Sequence, residues 1–388
     1  MIKKYFSLFL CILVSIPVFS IRPKAVSLGI SASAAVVMVA QTGEVIYEYN
    51  AHKQLSMAST TKIMTSLLAL EKADLNKEIT VREEELKVEG TSMGLLAGDK
   101  VTYEGLVYGM LLQSGNDAAN VVASRLGKNI DNFIVMMNKR AVELGMKNTH
   151  FATPSGLDDD EHYSTAYDMA LLGSEAIKNP DFRYISSQTS ARVYYGNPPY
   201  SRTLTNHNKM LKMYDGCIGL KTGFTKKSGR CLVTAAERDG ILLVAVTLNA
   251  PDDWNDHKIL LDYGFSEVEN KHLEPQSVKL PVVGGVSDKV TAVPAMDAYV
   301  NLISDYSEYK PVYLVDKFMY APVEKGEIAG KILYLSDGRC VAEVLLIANE
   351  TIALKKVNKK EKSFRIRFRN YMKSIFEKLR RKIWQITA

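Results

Sequence analysis

The chain has 388 residues, 47% of them hydrophobic and 24% charged, with a formal net charge of +6. That is too long for one small domain, and the composition is that of a folded globular protein, not a disordered or fibrous one. The charge is uneven: from Lys359 to Ala388 eleven Lys and Arg stand against two Glu, so the rest of the chain is net −3.

Residues 1–25 read as a secretory signal peptide. Lys3 and Lys4 form a basic start, Tyr5 to Ile21 an almost uncharged apolar run, and Pro17 bends its end. The alternative is an uncleaved anchor, since the run nearly spans a bilayer. Cleavage suits either Ser20 or Ala25. Leu10 stands where a lipoprotein signal needs a small residue, which argues against a lipid on Cys11.

Ala35 to Asn50 holds two apolar, β-branched runs around Gln41-Thr42-Gly43, the pattern of a β-hairpin. Ser59-Thr60-Thr61-Lys62 then stands at the head of an apolar stretch, Thr61 to Lys72, that reads as a helix. Residues i and i+3 share a helix face, so the Ser59 hydroxyl and the Lys62 amine can meet. A serine alcohol needs a base to take its proton, and a lysine whose pKa is lowered by burial or a nearby cation can serve. The helix start also aims the Ser59 N–H at an oxyanion forming there.

Val101 to Leu126 reads as two helical stretches around a polar break, Gln113 to Asp117. Within the break, Ser114-Gly115-Asn116 offers a hydroxyl and an amide on a buried turn, suited to relaying a proton and orienting a substrate amide. Asp131 to Leu144 reads as another helix. Asp158-Asp159-Asp160-Glu161-His162 reads as a solvated loop, in preference to a metal site. The six histidines are scattered, and no His-Glu-x-x-His or Cys-x-x-Cys pattern occurs.

Lys221-Thr222-Gly223 leads into Phe224. A lysine and a hydroxyl near a strand edge suit a substrate carboxylate, and Gly223 lets a substrate backbone approach. Arg230 to Leu248 reads as a second hairpin turning at Asp239-Gly240, and Asp256 to Tyr263 as a closing helix. Cys217, Cys231 and Cys340 are an odd number beyond the leader. Both a Cys217–Cys231 disulfide and unpaired thiols are open readings.

With strands at both ends and helices between, residues 26–272 are expected to form an α/β (α+β) domain with one antiparallel sheet flanked by helices. Residues 273–357 carry short Val, Ile and Leu runs broken at Gly284-Gly285 and Asp337-Gly338, which predicts a small all-β domain. In residues 358–388, Phe368, Met372, Ile375, Phe376, Leu379, Ile383 and Ile386 recur at spacings of three and four. Arg369, Lys373, Arg380 and Arg381 fall mostly opposite, and Trp384 lies near the end. This predicts a basic amphipathic helix lying in an anionic membrane interface. A helix docked on a partner protein and a nucleic-acid arm are the alternatives, and export argues against nucleic acid.

Each of the three short motifs has a bland reading alone: an N-cap serine with a surface lysine, a helix–helix turn, a turn before a hairpin. Together, once each and in this order, they form the S-x-x-K, S-x-N, K-T-G set of penicillin-reactive serine enzymes. The chain resembles the low-molecular-mass penicillin-binding proteins, serine-type D-alanyl-D-alanine carboxypeptidases, over nearly its whole length. SMASTTKIMT, LLQSGNDAAN, ELGMKNTHF, HYSTAYDMA, RTLTNHNKML and GLKTGFT are similar to that family. So is the order of signal peptide, transpeptidase/β-lactamase-like catalytic domain, β-rich domain and C-terminal amphipathic helix.

The resemblance implies a role for each residue. Ser59 would be the acylated nucleophile, Lys62 its general base, and Ser114 the proton shuttle toward the leaving D-alanine. Asn116 would hold the substrate's peptide, and Lys221 and Thr222 its terminal carboxylate. The N–H groups of Ser59 and Phe224 would form the oxyanion hole. It also implies no cofactor and no metal, stem peptides of peptidoglycan ending in D-Ala-D-Ala as substrates, β-lactams as covalent inhibitors, and the outer face of the cytoplasmic membrane as the location. Three departures stand out. Val39 replaces a frequent acidic residue, Ser155 in Pro154-Ser155-Gly156-Leu157 replaces a common histidine or asparagine, and Lys226-Lys227-Ser228 is unusually basic. None is expected to touch a catalytic position.

Three rival readings are weaker. A class A β-lactamase needs a glutamate opening an E-x-x-L-N loop. None of Glu143, Glu161 and Glu175 opens one, and Gly115 replaces the usual Asp. A peptidoglycan D,D-endopeptidase would use the same machinery on cross-links, but such relatives often lack the C-terminal domain and anchor. A non-catalytic wall-binding scaffold would have no use for the whole set Ser59, Lys62, Ser114, Asn116 and Lys221.

Overall fold

The computed structural model describes residues 26–303, 309–336, 339–356 and 366–375. Its described residues fall into two units: those up to Arg238 with Leu242–Glu267, and Asp239–Ile241 with those from Val268 onward. The leader, residues 1–25, lies outside the described residues.

The first unit is built on a five-stranded sheet. Its strands run in the order Val45–Tyr49, Ala34–Val39, Ile241–Leu248, Gly229–Arg238, Cys217–Thr225. The two predicted hairpins supply four of these strands. The sheet is covered on both faces, which is why Ala34–Val39 and Ile241–Leu248 are buried at every position and, apart from Thr247, apolar throughout. On one face Val36, Met38, Val244 and Val246 join the main core. Gly173, in the helix Ala166–Ala176, lets that helix lie on Val244, Val233 and Leu220. On the other face Gly264, in the helix Asp253–Glu267, sits against Val37 and Leu243.

The helix Lys62–Lys72 is buried along most of its length, from Lys62 to Ala69, so it is a core helix with no solvent face there. Tyr103–Leu112 and Asn116–Leu126 pack beside it, the former started by Thr102, whose hydroxyl accepts from Gly105 N at 3.1 Å. The helix Ile130–Glu143 is capped in the same way by Asn129.

The expectation of a single sheet is corrected. A second, four-stranded sheet joins Glu78–Thr80, Lys100–Thr102, Ser190–Gly196 and Pro199–Thr205. Two of its strands are only three residues long, too short for an alternating pattern to show.

From Val268 to residue 356 the regular structure of the second unit is all β. Six strands run in the order Lys310–Val315, Ile328–Ser336, Arg339–Ala348, Lys289–Pro294, Val278–Val283, Met319–Tyr320, and a separate pair joins Val268–Leu273 with Ala298–Ile303. Leu280, Val290, Ala292, Ile332, Val344 and Leu346 form its core.

Residues 366–375 are helical and expose Ile366, Phe368, Tyr371 and Met372. The rest of the predicted apolar stripe, from Phe376 to Ile386, lies outside the described residues. No helix among the described residues is long and apolar enough to cross a membrane. Cys217, Cys231 and Cys340 are free thiols. Strand register sets Cys217 opposite Ala236 and Cys231 opposite Gly223, which keeps the first two apart.

Candidate active site

Ala58–Thr61 form one 3-10 turn that runs directly into the helix Lys62–Lys72. Ala58 is held at φ +48°, a conformation that costs a non-glycine residue energy and persists only where the surroundings impose it. Gly156, itself at φ +83°, presses its Cα against the Ala58 carbonyl, where any side chain would collide. Ser59 therefore sits partly exposed at the end of a constrained turn.

The Lys62 amine is fully buried behind it and lies 2.9 Å from Ser59 Oγ, 2.6 Å from Asn116 Oδ1 and 2.6 Å from the Ser155 carbonyl oxygen. Burial, helped by the Lys221 charge, holds this amine well below the ordinary lysine range, and Asp117 acts weakly the other way. A neutral amine has two hydrogens and one lone pair. Ser155 O can only accept. Asn116 Oδ1 can only accept too, since the other end of that amide donates to Glu89 O at 2.6 Å. In the neutral form both hydrogens are thus committed, and the lone pair is left facing the one neighbour able to donate, the Ser59 hydroxyl.

The second motif is the turn between Tyr103–Leu112 and Asn116–Leu126. Residues 89–95 are strapped across it. Asn116 N donates to Thr91 O at 2.7 Å. The buried Asp117 carboxylate accepts from Ser92 Oγ at 2.6 Å and from the N–H groups of Met93, Gly94 and Leu95 at 3.0 to 3.1 Å. Ser114, buried at φ +59°, joins the Ser59–Lys62–Asn116 network through no hydrogen bond of its own.

The third motif lies in Cys217–Thr225, the edge strand of the five-stranded sheet. An edge strand leaves alternate N–H and C=O groups unpaired, ready for another extended chain. Gly223 faces inward: a Cβ there would stand 3.1 Å from Met57 O, Ser59 N and Ala58 Cβ. Its missing side chain is what lets this strand close on the Ser59 turn, a different reason from the one expected. Lys221 is 1% exposed, and burial lowers its amine to about 7. It donates to Thr222 O at 2.8 Å and lies 3.5 Å from Thr222 Oγ1, which sets its amine directly behind the half-buried Thr222. Phe224 is 65% exposed beside it.

Two expectations need correction. Ser155 was expected to lie clear of the catalytic positions, yet its carbonyl takes a Lys62 hydrogen. The run from Asp158 to His162 was expected to be a solvated loop. Asp158 to Glu161 are exposed, but His162 is buried. The acidic part is tied to the turn after the third motif, Thr225 Oγ1 donating to Asp158 and Lys227 Nζ to Asp160, each at 2.7 Å. Among the described residues no group of three or more His, Cys, Asp or Glu is placed to hold a metal ion.

Known proteins resemble this chain in sequence and in fold. A family described as D-alanyl-D-alanine carboxypeptidase matches residues 21–252, and one described as penicillin-binding protein 5, C-terminal domain, matches residues 270–354. D-alanyl-D-alanine carboxypeptidase DacF of Bacillus subtilis is 31% identical over 334 residues, covering 82% of this chain and 85% of the relative. DacC of Escherichia coli is 30% identical over 350 residues, covering 83% and 84%. Among solved structures, penicillin binding protein 5 from Haemophilus influenzae is similar with a TM-score of 0.62 at 28% identity, over 85% of this chain and all of that one. The Streptomyces K15 DD-transpeptidase is similar with a TM-score of 0.59 at 32% identity, over 61% and 98%.

Proposed function

This chain belongs to the D-alanyl-D-alanine carboxypeptidases, and from that premise we propose that Ser59 is its acylated nucleophile and Lys62 the base that activates it. The observation that carries this assignment is the buried Lys62 amine, 2.6 Å from both Asn116 Oδ1 and Ser155 O and 2.9 Å from Ser59 Oγ, so that its neutral form has a lone pair left for the Ser59 proton.

The reaction then runs in two halves. Lys62 takes the Ser59 proton as Oγ attacks the carbonyl carbon of the penultimate D-alanine. The N–H groups of Ser59 and Phe224 stabilise the oxyanion. The proton taken by Lys62 is relayed through Ser114, which gives its own to the departing nitrogen and takes one from Lys62, and the C-terminal D-alanine leaves. Water attacks the ester, releasing the shortened stem peptide and restoring the Ser59 hydroxyl. The substrate backbone lies along the free edge of Cys217–Thr225. Its terminal carboxylate meets the Thr222 hydroxyl, with the Lys221 charge beneath, and Asn116 orients its amide. A β-lactam enters the same first half and stalls as a stable acyl-enzyme.

The substrate is outside the cytoplasm, so the reading of residues 1–25 as a secretory leader and of residues 358–388 as a basic amphipathic membrane anchor fits the chemistry. The four exposed apolar side chains in residues 366–375 support the second. We take residues 26–272 as the catalytic domain and 273–357 as the β-rich one.

The test is to incubate the chain from residue 26 onward with a peptide ending in Lys-D-Ala-D-Ala and to measure free D-alanine. One D-alanine released per peptide, blocked by penicillin, is the expected result. Penicillin labelling without any release would move the activity to cross-linked peptides.

A further inference from the structure

His162 is neither in the three motifs nor on the surface. Its ring is 2% exposed and packs edge-on against Phe151, with centroids 5.9 Å apart. Two backbone N–H groups, of Ala152 and Thr153, point at its Nδ1 from 2.9 and 3.3 Å. A backbone N–H can only donate, so Nδ1 carries the lone pair and Nε2 carries the hydrogen. Nε2 then donates to Thr61 Oγ1 at 2.7 Å, and Thr61 Oγ1 donates onward to Ala58 O at 2.8 Å.

The two ends of this chain of bonds bracket the reacting atoms. Ala58 and Thr61 flank Ser59 within the strained turn. Ala152 and Thr153 precede Ser155, and Thr153 Oγ1 accepts from Gly156 N at 3.0 Å, which stiffens the segment across Ser155. We propose that His162 is a positioning residue for acylation, a latch that fixes the Ser155 carbonyl relative to the Ser59 turn and so keeps the Lys62 lone pair aimed at Ser59 Oγ. The proposal rests on Ser59 and Lys62 being the acylating pair. Thr65 Oγ1 holds Pro154 O at 2.6 Å one turn along the helix, so the loop stays attached when the latch is removed, but its carbonyl is no longer oriented.

The latch has one working protonation state. A second proton on the ring would turn Nδ1 into a donor facing two donors. Burial opposes that proton most; His150 on a neighbouring segment opposes it too, as would Lys62 in its ammonium form, while Asp158 and Asp159 on its own loop favour it and are outweighed. The latch is therefore closed at neutral pH.

The test uses the chain from residue 26 with His162→Phe, His162→Gln and Thr61→Val, the last cutting the same link from the other side. Acylation by a fluorescent penicillin, kcat and KM for D-alanine release, and the thermal midpoint are measured on each. His162→Phe and Thr61→Val are each expected to slow acylation by about 10- to 100-fold. The loss falls in kcat, with KM within about threefold of the parent. The double variant is no slower than the worse single, as for two ends of one link. His162→Gln, which can both accept and donate, recovers part of the rate. Folded variants that acylate within about twofold of the parent, or single effects that multiply in the double variant, overturn the proposal. If His162→Phe does not fold, Thr61→Val alone decides by the same criterion. Ser59→Ala is the control: labelling of that variant would sink the Ser59 assignment itself, whereas a blank control with fast His162 variants would sink only the latch.

Discussion

Asn116→Asp offers the sharpest probe of the neutral-lysine argument, because it exchanges one heavy atom and changes almost no volume. The wild-type amide takes one Lys62 hydrogen on Oδ1 at 2.6 Å and gives one to Glu89 O at 2.6 Å. The aspartate keeps the acceptor and adds a full negative charge beside an amine whose pKa burial holds well below the ordinary lysine range. At that distance two unit charges attract by about 6 kcal/mol at an effective dielectric of about 20. The new carboxylate must itself be desolvated and faces the Glu89 carbonyl, which takes back roughly half. About 3 kcal/mol in favour of the ammonium raises the Lys62 pKa by about two units. Ammonium cannot accept the Ser59 proton, so the acid limb of acylation moves up by the same two units, and at a fixed pH on that limb the rate falls about 100-fold. The assay is the pH dependence of the acylation rate with a fluorescent penicillin, for parent and variant. Recovery of the variant at alkaline pH is part of the expectation. An acid limb that does not move, or a uniform loss at every pH, would refute the account of Lys62 as a neutral base held by two carbonyl acceptors.

Four further outcomes follow from the same geometry. In the proposed role of Lys221, lowered to about 7, as the charge that draws the substrate carboxylate, kcat/KM for the peptide should decline as pH rises through about 7, while kcat, measured with the carboxylate bound, declines only at higher pH; a flat kcat/KM up to pH 9 would exclude that role. Gly223→Ala puts a methyl 3.1 Å from Ser59 N and must push the strand from the turn by a few tenths of an ångström, so acylation should fall about tenfold with little change in thermal midpoint. His162 and His257 are buried, with pKa values lowered from 6.5 to about 4 and about 3. As pH drops below 6.5 the unfolded chain gains protons that the folded chain refuses, so stability should fall by roughly 3 kcal/mol per ring by pH 4, read from urea midpoints. Removal of residues 359–388 should leave D-alanine release intact and abolish binding to anionic vesicles; vesicle binding by the truncated chain would count against the anchor.

What the sequence made legible is what side chains declare locally. Ser59 and Lys62 meet because residues three apart share a helix face, and Lys221-Thr222-Gly223 marks a strand edge because a lysine, a hydroxyl and a glycine there have a common use. The apolar runs that became Ala34–Val39 and Ile241–Leu248 needed no partner to be recognised as strands. The second sheet was hidden because Glu78–Thr80 and Lys100–Thr102 are too short to show a period. His162 was hidden by its neighbours: four acidic residues in a row describe a solvated loop, and nothing local says that the next side chain turns inward.

The deeper gap concerns groups that carry no identity. Two of the three acceptors that fix the Lys62–Asn116 geometry are backbone carbonyls, of Ser155 and Glu89, and any residue could supply them. Ser155 looked like a departure from the family pattern, yet the part of it that matters chemically is the part every residue shares. The constraint that places it is written elsewhere: in Gly156, which must lie against the Ala58 carbonyl, in Thr65, which holds Pro154, and in His162, which holds Ala152 and Thr153. A substitution at position 155 that preserves the backbone should therefore leave the Lys62 pKa and the acylation rate close to those of the parent, while changes at residues 61, 156 or 162, none of which contacts substrate in this reading, should be felt at Ser59. Ser155→Asn set beside Thr61→Val in the same acylation assay separates the two views. A larger loss from Ser155→Asn would mean that the side chain at 155, and not its carbonyl, is what the site uses.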